Sequence, residues 1–379
     1  MSAVRPQRTL LVMAAGTGGH VFPGLAIAAE LAKQGWRIVW LGTPGGIENR
    51  LVAEAGYPIE HIDFGGVRGK GFLRWVVLPA AILRAFWQSL FVLRRVQPDV
   101  VIGMGGYVTF PGGLMSVLRN RPLVVHESNS VAGLANRVLA VVADRVLVGF
   151  PDAFDRPIHN VLPKLLPKPR CVEWTGNPVR AGIAAVADPA ARYAGRSGAL
   201  RLLVVGGSLG AQGLNKLVVD ALASLGAEQR PAVVHQSGAK LFDELQALNA
   251  APKVQAEVLP FIADMAARYA WCDVIVCRAG ALTVAEVAAA GAAAVFVPLP
   301  YAVEDEQTHN ARFLESHGAA LLVQQKDTTP RQLADLIVAL TREKLLAMAR
   351  IARSLGKPEA TACCARACAE AAMGNAHAA

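Results

Sequence analysis

The stretch "MAAGTGGHVFPG" follows the apolar run "TLLV" and places His20 directly after Gly19, where a helix should begin. A helix N-terminus disfavours an imidazolium, so a neutral His20 is set to take a proton from a hydroxyl near neutral pH. The plainer alternative is a histidine that only caps or packs. A second glycine turn, "LLVVGGSLGAQGLN", offers Gly206, Gly207 and Gly210 for a tight turn, while Ser208 and the first amides of the next helix can donate to a phosphate. It lacks the Gly-Lys-Ser or Gly-Lys-Thr ending of a Walker loop and fits the dinucleotide fingerprint poorly, which speaks against ATP hydrolysis and hydride transfer. "VIVCRAGALTVAEVAAAG" sets Arg278 at a turn after a strand and Glu286 about one turn into a helix that starts near Leu282 or Thr283. A carboxylate so placed can simply satisfy the helix dipole, and it also suits two vicinal ribose hydroxyls beside a phosphate.

Other polar groups stand where strands should end. "PYAVEDEQTHNA" puts Glu304, Asp305, Glu306, Gln307, His309 and Asn310 after the strand-like "AAVFVPLP". Open parallel sheets bind ligands at such edges, and an amide suits sugar hydroxyls, although a solvated loop is the default reading for the acids. "GMGGYVTFPGG" carries Tyr107, and "VHESNSVAGLAN" carries His126, Glu127 and Asn129 with Ser130 able to cap the following helix.

The elements that must position these groups alternate. "TLLVMAAG", "RIVWLG", "VVIGMGG", "PLVVHE" and "ADRVLVGF" read as strands, and "GLAIAAELAKQG" and "AGLANRVLAVV" as helices, the pattern of a parallel sheet covered on both faces. Prolines 151, 157, 163, 167, 169 and 178 make the stretch around 150–180 a connector. A second series follows with "LRLLVVGG", "PAVVHQSG", "AEVLPF", "WCDVIVC", "AAVFVPLP" and "AALLVQ". Two α/β domains are therefore expected, 1–175 and 176–379, the alanine-rich tail being helical and its last helix free to pack back on the first domain.

Composition sets outer limits. The 379 residues carry a formal net charge of +9 with 53% hydrophobic content, which excludes a disordered chain and favours an anionic partner. The six cysteines lack paired metal-ligand spacing, so neither a disulfide framework nor a zinc site is expected, and a reducing cytoplasm fits. The first apolar run reads as a strand rather than as an export signal. "KGFLRWVVLPAAILRAFWQSLFVLRR" is long and apolar, but Arg74, Pro79, Arg84, Gln88 and Ser89 interrupt it, and an arginine at mid-span costs roughly 2.5–3.5 kcal/mol on insertion scales. Two readings remain. In one it lies in the headgroup plane, with Arg68, Lys70, Arg74 and Arg84 towards anionic lipid and Phe72, Trp75, Leu78, Ile82 and Phe86 in the acyl boundary. In the other it is a buried crossover helix.

Seven segments in order, "GTGGHVFPGLAIA", "GVRGKG", "GGYVTFPG", "HESNSVAGLAN", "TGNPVR", "GGSLGA" and "CRAGALTVAE", resemble the MurG family of glycosyltransferase family 28 over nearly the whole chain. The resemblance implies an α/β GT-B fold, two Rossmann-like domains facing a central cleft. It implies an inverting transfer of N-acetylglucosamine (GlcNAc) from UDP-GlcNAc to the muramyl 4-hydroxyl of undecaprenyl-diphospho-N-acetylmuramyl pentapeptide (lipid I), making lipid II and UDP for peptidoglycan. Carried onto this chain, Thr17, Gly18, Gly19, Arg180, Ser208, Arg278, Leu282, Thr283, Glu286 and Gln307 bind the donor. Glu286 takes the ribose hydroxyls and Gln307 the GlcNAc hydroxyls. His20, Tyr107 and Asn129 serve the acceptor, with His20 as the candidate base.

The resemblance requires no cofactor, and a divalent cation would be an accessory of the diphosphate. It implies a peripheral protein on the cytoplasmic side of the bacterial inner membrane, with the anionic leaflet and cell-wall and division proteins as partners and no nucleic acid. It also tips the "KGFLRW…" segment towards docking. Two departures stand out: Ala14-Ala15-Gly16 where the family usually has a further glycine, and Glu306-Gln307 where it often has paired glutamines. A GT-B sugar transferase or UDP-sugar epimerase with another acceptor, and a non-enzymatic anion-binding protein, are the rival expectations.

Overall fold

The computed structural model of the chain describes residues 7–65, 71–156, 167, 169, 171–207, 210–250, 254–300 and 305–374, and of 71–77 the backbone alone. "TLLVMA" forms β1 (Thr9–Ala14), buried along its whole length, as a strand covered on both faces requires. There follow α1 (Gly18–Lys33), β2 (Arg37–Gly42), α2 (Glu48–Glu54), β3 (Ile59–His61), α3 (Gly71–Val96), β4 (Val100–Gly105), α4 (Thr109–Leu118), β5 (Leu123–Glu127), α5 (Leu134–Val142), β6 (Arg145–Val148) and β7 (Val172–Trp174). They make one parallel sheet in the order β3-β2-β1-β4-β5-β6-β7.

The second series contains α6 (Ala181–Ala184), α7 (Pro189–Tyr193), β8 (Arg201–Val205), α8 (Gln212–Ala223), β9 (Ala232–Gln236), α9 (Phe242–Ala250), β10 (Ala256–Leu259), α10 (Met265–Trp271), β11 (Val274–Cys277) and α11 (Ala281–Ala290). It continues through β12 (Ala293–Phe296), α12 (Glu306–Glu315), β13 (Ala320–Leu322), α13 (Pro330–Val338), α14 (Arg342–Leu355) and α15 (Ala360–Gly374). Its parallel sheet has the order β10-β9-β8-β11-β12-β13. In each sheet the strand order reverses beside the first strand of its series, at β1/β4 and at β8/β11, and ligands of open α/β sheets bind at such switch points.

Each sheet is pinned at the opposite edge by aspartates that stand just before a strand. Asp99 accepts from Thr9 N–H at 2.7 Å, Asp144 from Leu123 N–H at 2.7 Å and Asp273 from Arg201 N–H at 3.0 Å. Every one ties the start of its own strand to a neighbour's start. Register is thereby fixed, and the functional side chains are delivered at the other end.

The expected division after residue 175 is corrected. One unit takes residues up to Val179 together with those from Glu359 onward, and the other runs Arg180–Pro358. The segment after β7 is bonded into the first unit: Gly176 N–H donates to Val148 O at 3.1 Å and Asn177 Nδ2 to Ser128 O at 2.9 Å. The last helix, counted with the second domain but free to pack back on the first, is part of the first. Its Cys364, Ala365, Ala367 and Cys368 pack with Leu31 and Met104, and Thr361 Oγ1 donates to Val179 O at 3.3 Å. Burial pushes the Cys364 thiol up to about 12, which suits a small packing residue.

Candidate active site

The helices at the switch points lack side-chain caps, as do α2 after β2 and α12 after β12. Helices α1, α4 and α5 after the central strands β1, β4 and β5 have no side-chain cap, and neither do α8 and α11 after β8 and β11. Helices α10 and α13 follow the sheet-edge strands β10 and β13, and they are capped by Asp264 and by a Thr329–Gln332 capping box. The first N–H groups of an uncapped helix have no intrahelical acceptor, so donors collect where an anion or a sugar oxygen can meet them.

In the first unit, half-buried His20 stands in the opening turn of α1. Its Nδ1 is 3.3 Å from Ala15 O and 3.5 Å from Thr17 Oγ1. A carbonyl only accepts, so Nδ1 carries the proton and Nε2 keeps its lone pair. The ring lies against Gly105, where φ is +112° and a Cβ would stand 2.7 Å from Nε2. Burial lowers the His20 pKa below its ordinary 6.5, while Glu127 and the Ala15 carbonyl pull it up. The neutral imidazole expected from the helix dipole is thus owed chiefly to desolvation. Ala14 and Ala15 hold no positive φ, so the missing family glycine causes no strain.

Glu127 organises the neighbouring loop. Its carboxylate accepts from Asn129 N–H at 2.8 Å, Gly133 N–H at 3.1 Å and Asn136 Nδ2 at 2.8 Å. Fully buried His126 pairs its Nε2 with Gly176 O at 3.1 Å, and burial pushes its pKa down to about 4. Thr17 is exposed at the N-cap of α1 ahead of Gly18 and Gly19, and Tyr107 is half-exposed in the turn after β4.

In the second unit, Glu286 is buried on α11 with both oxygens engaged. Arg180 Nη2 donates to Oε1 at 3.2 Å and Tyr269 Oη to Oε2 at 3.4 Å. Burial raises the Glu286 pKa and those two partners oppose it. Leu282 and Thr283 are half-buried in the first turn of α11. Ser208 lies outside the described residues.

Arg278 proves less free than its place at a turn suggests. Nη1 donates to Val297 O at 3.0 Å and Pro298 O at 2.9 Å, and Nη2 to Gln325 Oε1 at 2.7 Å. Burial lowers its pKa to about 10. It braces the end of β12, and its buried Nε is one of several buried side-chain atoms without a hydrogen-bond partner among the described residues. Gln307 is oriented likewise: Oε1 accepts from Leu299 N–H at 3.0 Å and Ala279 N–H at 3.3 Å, which assigns the other end of its amide as the NH2 donor.

Comparison with known proteins decides the family. The model "Glycosyltransferase family 28 N-terminal domain" matches residues 10–148 and "Glycosyltransferase family 28 C-terminal domain" matches 201–362. A relative from Cupriavidus necator, named UDP-N-acetylglucosamine--N-acetylmuramyl-(pentapeptide) pyrophosphoryl-undecaprenol N-acetylglucosamine transferase, is 58% identical across 96% of this chain and 98% of its own. The crystal structure of Acinetobacter baumannii MurG superposes with a TM-score of 0.81 at 40% identity, covering 96% of this chain and 99% of that one.

The chain belongs to the MurG group of glycosyltransferase family 28. Its two Rossmann-like units are those of a GT-B glycosyltransferase of the MurG group. A UDP-GlcNAc 2-epimerase from Neisseria meningitidis, bound to UDP-GlcNAc, shares the fold alone, at 14% identity and a TM-score of 0.63 over 95% of this chain and 99% of that one.

Of the remaining expected residues, those from Phe72 to Phe86 lie on α3, one helix with Pro79 inside it. Arg68 and Lys70 fall outside the described residues, as do the side chains of Phe72, Arg74 and Trp75. The rest of the expected lipid face is corrected. Leu78 and Ile82 are half-buried, and Phe86 packs on Phe110 with ring centroids 5.9 Å apart. Arg84 is paired with Asp63. The outward stripe is Leu83, Trp87 and Phe91, with 68%, 63% and 45% of their surface exposed, and Arg94 lies over the Phe91 ring. Apolar residues fall on more than one face of the helix, so its packing on α4 reveals which face is free. Among the described residues no helix is long and apolar enough to cross a membrane.

Sequence reasoning passed over Glu48, Tyr269 and Gln325. Tyr269 and Gln325 act from other elements than the residues they hold, and nothing local marks them. Glu48 has a signal in "GTPGGIE", an acid among glycines that leave it room.

Proposed function

We propose that this chain moves GlcNAc from UDP-GlcNAc to the muramyl 4-hydroxyl of lipid I, giving lipid II and UDP in peptidoglycan synthesis. The observation that carries this reading is the 58% identity along 96% of the chain to a relative named for that transfer. The site geometry is consistent with the following roles. His20 Nε2 takes the proton of the acceptor hydroxyl as its oxygen bonds to C1 of GlcNAc, and the bond from C1 to the diphosphate breaks with inversion. Open N–H groups at α8 and α11, with Ser208, meet the charge that develops on departing UDP, a duty that needs no protein-held metal and leaves a divalent cation as an accessory.

Glu286 accepts the ribose hydroxyls while Arg180 and Tyr269 hold it, and the Gln307 amide donates to GlcNAc. Thr17, Gly18 and Gly19 frame the reacting end of the donor, and Tyr107 and Asn129 the acceptor. Because lipid I is anchored by its polyprenyl chain, the protein docks on the anionic cytoplasmic leaflet through the Leu83, Trp87 and Phe91 stripe of α3. The test is transfer of labelled GlcNAc to a detergent-solubilised lipid I analogue. Folded protein that makes no lipid II refutes the reading, and equal labelling of unrelated acceptors would favour a broader sugar transferase.

A further inference from the structure

Glu48 is fully buried, and its carboxylate binds donors rather than a cation. Oε1 accepts from Thr43 N–H and from Thr43 Oγ1–H, each at 2.9 Å, and Oε2 accepts from Gly16 N–H at 3.2 Å. The cradle is built for it: a Cβ on Gly46 would stand 2.0 Å from both carboxylate oxygens, and one on Gly42 would stand 2.8 Å from Glu48 Cγ. An acid kept at this position excludes side chains at two others, a demanding arrangement for a mere surface turn.

The N–H of Gly16 and the C=O of Ala15 are two ends of one peptide group. The carbonyl end is the acceptor 3.3 Å from His20 Nδ1. Carboxylate, peptide and imidazole therefore form a chain in which each bond polarises the next: charge drawn to the N–H end makes the carbonyl a stronger acceptor. A carboxylate that orients a histidine directly fixes its tautomer and raises its basicity. Here one rigid peptide plane is interposed.

We propose that Glu48 is a positioning residue for the transfer, acting on His20 through the Ala15–Gly16 peptide to hold the Nδ1–H tautomer and leave Nε2 as the proton acceptor. This rests on the reading of His20 as base. Two other titratable groups face the ring, Glu127 and His126, and their hydrogen bonds run to Asn129, Gly133, Asn136 and Gly176 rather than to Glu48.

The experiment uses the full chain. Glu48→Gln keeps one oxygen for the two Thr43 donors and turns an NH2 towards Gly16 N–H, so it breaks the relay while sparing most of the turn. It should lower kcat about tenfold to a hundredfold, the usual effect of losing an outer partner of an oriented histidine, with UDP affinity by calorimetry unchanged. The acid limb of the kcat profile should move to lower pH, because a less polarised carbonyl supports the imidazolium less. Imidazole 15N shifts of His20 read the same coupling without turnover. In the unaltered protein they should report Nδ1–H, and in Glu48→Gln a larger share of Nε2–H.

An Nε2–H tautomer in the unaltered protein overturns the proposal even if the variant fails to fold. So does a kcat profile that Glu48→Gln leaves in place. A His20→Ala protein with normal turnover defeats the base reading instead, and the 15N shifts then decide the Glu48 coupling by themselves.

Discussion

The two units open on the same strand, glycine turn and helix, yet one turn meets a carboxylate and the other only neutral groups. In the first, the Gly16 N–H is already taken by the Glu48 carboxylate, and the same peptide's carbonyl meets the His20 imidazole. In the second, the turn after β8 braces itself with neutral groups, Gln236 Nε2 donating to Gly207 O at 3.0 Å, and the buried acid of α11, Glu286, pairs with Arg180 at the start of α6. A glycine turn is therefore not a phosphate site by its backbone alone. What decides is whether the protein has set its own anion against those amides. The first turn has one, which suits an acceptor hydroxyl and a base better than a nucleotide diphosphate.

The largest expected effect lies in the first turn. His20→Ala should cut kcat by about 10² to 10⁴ and leave UDP affinity as it was, by steady-state transfer and calorimetry. Only the neutral imidazole accepts a proton, and burial holds its pKa below 6.5. The kcat of the unaltered protein should thus be level above neutrality and fall on acidification beneath that point. A variant as fast as the parent would erase the contrast between the turns.

In the second unit Glu286→Ala should weaken UDP about 10- to 100-fold, since hydrogen bonds to a charged group contribute about 1.5–3 kcal/mol. Its effect on 2′-deoxy-UDP should be smaller, because one of the two hydroxyls is gone already. Equal losses for both nucleotides would move Glu286 away from the ribose.

How far this contrast was legible depends on the range of the interactions behind it. Strands β1, β4, β8 and β11 are continuous apolar runs ending in glycine or a turn cation, and local pattern suffices for them. Strands β3 and β7 have three residues each, too few for any period, and β7 lies inside a proline-rich connector. Helix α15 is alanine-rich with little facial bias, so nothing in it names the first unit as its partner; contacts with α1 and β4, more than 250 positions away, decide that. His20 and Glu286 were legible because their types suit their places at helix starts. Glu48 and Tyr269 were not, because each works on a group that only folding brings near.

Buried histidines give a smaller, matched effect in the two units. Desolvation pushes His126 down to about 4 in the first and His235 to about 3 in the second, where His235 meets Asn215 Oδ1 at 3.1 Å. Both stay neutral when folded and would protonate at about 6.5 once unfolded. Between pH 6.5 and those values the unfolded chain binds more protons, so stability is full above 6.5 and drains as pH falls. By pH 5 the loss should be about 2 kcal/mol per histidine. Calorimetric melting should show both units weakened, with the first levelling off near pH 4 and the second still losing below it. A melting temperature that stays constant from pH 6.5 to 5 would contradict the burial of both rings.

The smallest effect tests whether the units differ on their outer surfaces as well. In the first, Leu83, Trp87 and Phe91 follow one another at four-residue spacing, and Trp87 and Phe91 touch edge to face with centroids 4.3 Å apart. In the second, exposed apolar residues such as Val338 and Ile351 are scattered on separate helices, as on any soluble surface. A contiguous stripe can enter an acyl boundary together, whereas scattered residues cannot. Trp87→Glu should therefore lower binding to vesicles containing anionic lipid roughly tenfold, about the value of burying one large side chain. Val338→Glu, which adds the same charge to the second unit, should leave binding nearly unchanged, and GlcNAc transfer to a detergent-solubilised acceptor should survive both. Equal losses in co-sedimentation would mean that net charge alone governs docking, and the stripe on α3 would then need another explanation.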